Sequence, residues 1–97
     1  MNYWLHPEAE SELDEAATYY ASHASRAIAL AFVLEFERVL GLLVANQCLG
    51  GLANDGLRVY PFKRFPYSLV YREHSAGPRI YAVAHQRREP EYWKQRI

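Results

Sequence analysis

The strongest constraint on the fold is a change in hydrophobic periodicity near the middle of the chain. Before residue 46, apolar residues recur at the spacing of one face of an amphipathic helix. From residue 57 onward, apolar and polar residues alternate, as they do along a half-buried strand. Residues 46–56 between the two patterns are rich in Gly and Asn, which is typical of a loop. The chain therefore predicts helices first and a sheet afterwards, which is an α+β domain.

Two amphipathic helices are predicted before the loop. Pro7 suits the first helical position, where its missing N–H costs nothing, and we expect this helix to end near His23. Its apolar face leaves Glu12 and the neighbouring acids toward water. Ser25 can cap a second helix over Arg26–Ala45. Because only a few residues join the two helices, they should form an antiparallel hairpin.

Four strands complete the predicted fold. Residues 2–5 alternate loosely and fit a short first strand. The later alternations predict strands over 57–60, 67–72 and 80–85. The resulting order is β-α-α-β-β-β, with the helical hairpin on one face of the sheet. We expect the other face to be free to present Arg and Tyr side chains.

Length and composition indicate a single domain over residues 1–97. Apolar residues make up 51% of the chain and aromatic residues 14%, which argues against disorder. The N-terminus lacks the features of a signal peptide, and no apolar stretch is long enough to span a bilayer. Cys48 is the one cysteine, so no intramolecular disulfide can form. We therefore expect a cytoplasmic protein without a membrane partner.

Charge divides the chain into two unlike halves. Nine of the eleven Lys and Arg residues lie after Gly56 with three acids, whereas the first 56 residues hold eight acids and two bases. Such asymmetry suggests a polyanionic partner for the basic half. Guanidinium groups match two phosphate oxygens at once and Tyr rings can stack on bases, so an RNA-binding surface is one interpretation. The other is that the Arg side chains are simply solvated and the Tyr rings pack on the strands.

His85 is the residue best placed for acid–base chemistry, because it falls near the end of the last predicted strand, immediately before Gln86, Arg87 and Arg88. A neutral imidazole can accept a proton from a ribose 2′-hydroxyl or donate one to a leaving oxygen. Nearby guanidinium groups would stabilise the charge on a cleaved phosphate. The alternative is a structural histidine whose ring hydrogen-bonds the backbone. The other histidines lack the spacing of zinc ligands, so we predict no metal site.

Three segments carry a specific combination of motifs: HPEAESELDEAATYY, RVYPFKRFPYSLVYR and IYAVAHQRREPEYWKQR. This combination resembles the RelE/ParE superfamily of toxins from bacterial type II toxin-antitoxin systems, and the resemblance covers nearly the whole chain. It implies a two-helix hairpin packed on a mainly antiparallel sheet. It also implies a cognate antitoxin, whose partly disordered segment wraps and neutralises the toxin in a hetero-oligomer.

The superfamily that the chain resembles has two functional branches. RelE-like members cut mRNA in the ribosomal A site. This first hypothesis is the leading one, and it uses no metal or other cofactor. In it, His85 is the general acid or base, Arg72 and Arg88 stabilise the phosphate, and Tyr92 orients a base. The further candidates for contact with nucleic acid are Arg58, Lys63, Arg64, Arg87 and Arg96.

The second hypothesis is a ParE-like toxin that inhibits DNA gyrase without catalysis. The tail over residues 93–96 resembles sequences grouped with ParE, which favours this hypothesis. A third hypothesis is a nontoxic member of the same family. Induction of the chain without its antitoxin separates the third hypothesis from the first two, because only a toxin arrests growth.

Overall fold

The computed structural model describes residues 2–97, which form two helices, five strands and two short 3₁₀ turns. The helices are α1 (Pro7–His23) and α2 (Arg26–Ala45). The strands are β1 (Trp4–Leu5), β2 (Gly51–Leu52), β3 (Leu57–Pro61), β4 (Tyr67–Arg72) and β5 (Arg79–His85). One 3₁₀ turn is Asn54–Gly56, and the other, named here the C-terminal turn, is Tyr92–Arg96. The predicted β-α-α-β-β-β order is confirmed, with β2 added inside the predicted loop.

Both helices begin at the predicted residues, and each has a side chain at its N-terminus that accepts a backbone hydrogen bond. His6 Nδ1 accepts from the N–H of Glu8 at 3.0 Å, one residue into α1. Ser25 Oγ accepts from the N–H of Ile28 at 3.1 Å. Such caps satisfy N–H groups that lack a partner within the helix. No helix among residues 2–97 combines the length and apolar character that a membrane span requires.

The sheet has the strand order β1-β5-β4-β3-β2. β1 lies parallel to β5, and the other three pairings are antiparallel. The predicted mainly antiparallel sheet is therefore confirmed. Because β1 pairs with β5 through two residues only, most of the β5 edge extends past the end of β1.

A β-bulge in β5 changes which residues face the helices. Between two successive pairs with β4, β5 carries one additional residue, Tyr81. Ile80 and Val83 both pack in the core under the helices, whereas Ala82 and Ala84 lie on the opposite face. In the sequence, Ile80, Ala82 and Ala84 alternate with Tyr81, Val83 and His85, which predicts the first three on one face. This prediction is wrong from Ala82 onward, because the inserted Tyr81 reverses the facing of the residues that follow it.

Two apolar clusters hold the sheet, one on each face. The larger lies between the sheet and the helical hairpin, and its most deeply buried large side chains include Phe32, Leu43, Leu69, Tyr71 and Ile80. The smaller lies on the opposite face, where the Tyr92 and Trp93 rings of the C-terminal turn pack against β3, β4 and β5. The expectation that this second face is free is therefore wrong where the turn covers it. The two rings remove apolar sheet surface from water, which favours that covering.

Candidate functional site

His85 lies at the end of β5, directly opposite Tyr67 of β4. The two rings pack edge to face, with 5.0 Å between their centroids. His85 Nδ1 accepts a hydrogen bond from the backbone N–H of Arg87 at 3.0 Å, so the neutral ring carries its proton on Nε2. The backbone contact expected of a structural histidine is therefore present. The ring is half-buried and is not sealed in the core.

A small cavity of about 190 Å³ opens beside His85, between α1 and the ends of β4 and β5. We name it the His85 cleft, and its lining residues are Glu12, Glu15, Ala16, Tyr19, Tyr67, Val83, His85 and Arg88. Glu15 adds a carboxylate to this lining, and the Arg88 guanidinium lies 3.8 Å from Glu12 and is therefore already partly compensated. Both features disfavour the phosphate that a nuclease has to bind. Within residues 2–97, His, Cys, Asp and Glu form no group of three that could hold a metal ion.

A buried ion pair completes the edge of β5 beyond the end of β1. Glu12 accepts a hydrogen bond from the Val83 N–H at 3.0 Å, and Arg96 donates to the Tyr81 carbonyl oxygen at 3.0 Å. Glu12 and Arg96 also join each other through two hydrogen bonds of 2.9 Å. The pair thus occupies backbone groups that another strand would otherwise bind, which protects the edge of the sheet.

The Glu12–Arg96 pair is nearly closed to solvent, since the side chains of Arg96 and Glu12 are 9% and 11% exposed. Burial alone would lower the pKa of Arg96, but the hydrogen bonds and charge of Glu12 outweigh it and raise that pKa. The expectation that Glu12 points to water is wrong. Ala9 and Ala16, about one turn before and after it on α1, are buried, and this helical spacing is the sequence signal that places Glu12 on the inward face. Arg96 anchors the C-terminal turn to α1.

Two guanidinium groups lie close to the ring of Tyr92. The guanidinium carbons of Arg88 and Arg96 lie 4.0 Å and 5.1 Å from its ring centroid, which are cation–π distances. Its phenolic oxygen is buried and has no hydrogen-bond partner among the described residues. Burial is the main reason why the pKa of Tyr92 is raised far above its ordinary value, and the nearby Glu12 adds to the rise. Orientation of a base by this ring stays a prediction, and it would require displacement of an arginine.

Arg72 lies at the opposite end of β4 from the His85 cleft. Tyr67 pairs with His85, whereas Arg72, five residues further along β4, pairs with Arg79. Five residues of extended strand span about 17 Å. Arg72 also lies on the face opposite the helices, where its guanidinium donates to the carbonyl oxygen of Asp55 at 2.6 Å. The structure therefore does not bring Arg72 to His85.

The remaining predicted cations occupy separate parts of the surface. Arg58 forms an ion pair with Glu73 at 2.8 Å near β2, and this hydrogen bond raises the pKa of Arg58. Lys63 and Arg64 lie in the loop between β3 and β4, beside α2. Arg87 follows β5, where its backbone contacts the ring of His85. Arg58 and Arg72 lie toward the opposite end of β4 from the Tyr67–His85 pair, and Lys63 and Arg64 line a cavity that does not include His85. Their contact with nucleic acid stays a prediction.

The fold defines a class of protein: a two-helix hairpin on a mainly antiparallel sheet, closed by a C-terminal turn. A solved structure described as the chromosomal ParDE toxin-antitoxin system from P. aeruginosa has this fold, with a TM-score of 0.76. The two chains are 24% identical over 88% of this chain and 95% of the other, which shows a shared fold.

A family model described as the ParE toxin of the type II toxin-antitoxin system parDE matches residues 3–90. The chain therefore belongs to the ParE toxin family, which confirms the superfamily resemblance seen in the sequence. No curated protein matches the chain.

Proposed function

We propose that this toxin arrests growth by binding DNA gyrase without catalysis, and that a cognate antitoxin neutralises it. Membership of the ParE toxin family supports the toxin role and the antitoxin partner. The choice of gyrase over mRNA is the finer step, and the arrangement of the candidate residues supports it.

The observation that carries the choice is the separation of Arg72 from His85. A ribonuclease without metal needs its acid–base group and its cations around one phosphate, because the cations have to stabilise charge as it develops. Here the two residues lie at opposite ends of the β4–β5 pair, about 17 Å apart along the strand. Arg72 and His85 also lie on different faces of the sheet, so one phosphate cannot contact both side chains.

The surroundings of His85 support the same choice. Glu15 lines the cleft that a phosphate would enter, and Arg88, the guanidinium of that cleft, already lies 3.8 Å from Glu12. Arg96 is paired with Glu12, and Tyr92 is half-buried with an arginine against its ring. Each of these groups has a structural partner already, so a catalytic role for them would require the C-terminal turn to rearrange.

Cleavage of mRNA is the second candidate function, and the specific observation that favours it is the shared cleft of His85 and Arg88. A half-buried imidazole beside a guanidinium is a combination that can move a proton and stabilise a phosphate. This candidate predicts codon-phased breaks in cellular mRNA after induction of the toxin. The breaks should disappear in both His85→Ala and Arg88→Ala.

A supercoiling assay with purified components tests the proposal. The toxin should block supercoiling of relaxed plasmid by gyrase or cause cleaved DNA to accumulate, and prior addition of the antitoxin should abolish the effect. Primer-extension mapping of transcripts from the same induced cells gives the comparison. Normal gyrase activity together with phased mRNA breaks would replace the proposed function with the second candidate.

A further inference from the structure

A row of paired residues crosses the sheet at the end remote from the His85 cleft. Trp4 of β1 pairs with Arg79 of β5, Arg79 pairs with Arg72 of β4, and Arg72 pairs with Leu57 of β3. Residues that pair directly across strands point to the same face. Leu57 places this row on the face opposite the helices. We name Trp4, Arg79 and Arg72 the arginine row.

The two guanidinium groups of the row are unusual because they are neighbours of like charge. Like charges directly opposite each other on paired strands destabilise a sheet. Within residues 2–97, neither Arg72 nor Arg79 joins an ion pair, whereas Arg58, Arg88 and Arg96 each have a carboxylate partner. The folded chain therefore holds two adjacent positive charges without compensating either of them.

Neutral groups orient the two guanidinium groups. The Arg79 guanidinium carbon lies 4.2 Å from the ring centroid of Trp4, and Arg79 Nε donates to the Tyr81 hydroxyl at 3.3 Å. Arg72 donates to the Asp55 carbonyl oxygen at 2.6 Å, and its guanidinium carbon lies 6.0 Å from the same Tyr81 ring. A guanidinium has five N–H donors, and the contacts above use only some of the donors of Arg72 and Arg79. Donors therefore remain for an anion.

We propose that the arginine row contacts the phosphate backbone of duplex DNA. This inference rests on the proposed function, because duplex DNA is the substrate of gyrase. Guanidinium groups suit phosphate because their fork of donors matches two oxygens at once and their charge is permanent. A pair of adjacent forks also offers more donors than one carboxylate can accept.

The shape of the surface favours a nucleic-acid backbone over an acidic peptide. None of the three row residues lines the cavity between the C-terminal turn and β3 or the His85 cleft. A peptide gains specificity by inserting side chains into pockets, whereas phosphates lie across a surface and are bound by exposed cations. Trp4 is already covered on one side by Arg79, so the row offers charge and not an open ring for base stacking.

Salt-dependent binding of a labelled duplex, followed by fluorescence anisotropy, tests the inference. The double variant Arg72→Gln/Arg79→Gln is compared with wild type and with the control Arg26→Gln, which removes an exposed charge at the start of α2. Loss of two phosphate contacts should reduce the slope of log affinity against log salt by about 1.8. Wild type and the control should therefore lose about 12-fold more affinity than the double variant between about 50 and 200 mM salt.

A second variant separates loss of charge from loss of structure. Arg72→Lys/Arg79→Lys keeps both charges, so it should recover the wild-type slope even if its bound geometry is less favourable. Equal slopes for wild type and the Gln variant would overturn the inference, provided that thermal unfolding shows both to be folded. Binding of a poly-glutamate peptide to wild type, without any binding of the duplex, would also overturn it and would assign the row to an acidic protein segment.

Gyrase inhibition by the same proteins distinguishes this inference from the proposed function. If the Gln variant inhibits gyrase as strongly as wild type and keeps its DNA slope, the inference fails and the proposed function stands. If wild type leaves gyrase active, the proposed function fails, and the slopes alone decide whether the row binds DNA. Weaker inhibition by the Gln variant, restored by the Lys variant, supports both.

Discussion

The Glu12–Arg96 pair contacts the middle of β5 and the arginine row crosses its start, and the two regions show different uses of a guanidinium. Arg96 meets a carboxylate and a backbone carbonyl at the bulge of β5. At the start of β5, Arg79 meets a Trp ring and a Tyr hydroxyl and has no acid beside it within the described chain. Aromatic contact is common to both regions, so it does not separate them. The two regions differ in whether another element of the fold places a carboxylate beside the guanidinium.

In the first region that charge comes from the inward face of α1, which passes over the open edge of β5. The second region lies at the end of the sheet where β1 already pairs with β5, and the helices cover only the other face. A guanidinium with a buried counter-charge contributes to the fold, whereas one without it is available to an external anion. Access to Glu12 on α1 therefore separates Arg96, which stabilises the fold, from Arg79, which can bind a partner.

The largest effect is expected from Arg96→Ala. The substitution leaves Glu12 buried without its partner and frees the C-terminal turn, so the free energy of unfolding should fall by about 3 kcal/mol. Urea denaturation followed by circular dichroism measures the change. The control is Lys94→Ala, which removes an exposed partner of Glu91 from the same turn and should cost less than about 0.5 kcal/mol. Similar midpoints for the two variants would contradict a structural role for Arg96.

A smaller effect is expected from Arg72→Gln. The variant loses the hydrogen bond to the Asp55 carbonyl oxygen and a weak cation–π contact with Tyr81, while the repulsion from Arg79 also disappears. These effects partly cancel, so the free energy of unfolding should fall by only about 1 kcal/mol. Urea denaturation at low and high salt measures it. Added salt should stabilise wild type more than the variant, because salt screens the repulsion. A loss as large as that of Arg96→Ala would show that the arginine row is structural.

The smallest stability effect concerns Glu35, whose ion pair with Arg38 is more exposed than the Glu12–Arg96 pair. The hydrogen bond from Arg38 lowers the pKa of Glu35, and the backbone N–H of Lys63 adds to this against the effect of burial. A lowered pKa means that the ionised form favours the folded state. This stability is present above about pH 4.5 and is lost as pH falls through the folded pKa.

The comparison for Glu35 is wild type against Glu35→Gln. Unfolding midpoints measured between about pH 5 and pH 3 should fall more steeply in wild type, since the glutamine has no proton to bind. Parallel curves for the two proteins would show that the contact with Arg38 contributes nothing to the folded state.

Local features of the fold were predictable from the sequence because local chemistry determines them. Pro7 and Ser25 mark the helix starts, and the change in periodicity marks the start of the sheet. The bulge at Tyr81 was not predictable, because the alternation of apolar residues does not reveal where a strand contains an inserted residue. The short β2 was not predicted, because two exposed residues are too few to show an alternation of apolar and polar residues.

The candidate site was less predictable than the fold because it depends on contacts that are distant in sequence. Glu12 and Arg96 are 84 residues apart, and only the assembled sheet edge brings them together. Arg72 and His85 are much closer in sequence, yet the register of β4 and β5 separates them by most of a strand. Clustering of cations along a chain therefore says little about clustering in space. The helical spacing of Ala9, Glu12 and Ala16 was the one signal that could have placed Glu12 inward.

The most direct test of the central claim, that toxicity does not depend on the acid–base chemistry of His85, is gyrase inhibition by His85→Ala. The concentration of purified toxin that halves supercoiling is measured for the variant and for wild type, after circular dichroism has shown both to be folded. Both proteins should inhibit gyrase, and their half-inhibiting concentrations should agree within about twofold, which corresponds to less than about 0.5 kcal/mol of binding free energy. A folded His85→Ala variant that has lost its toxicity in cells, beside a wild type that leaves gyrase active and cuts mRNA, would contradict the central claim.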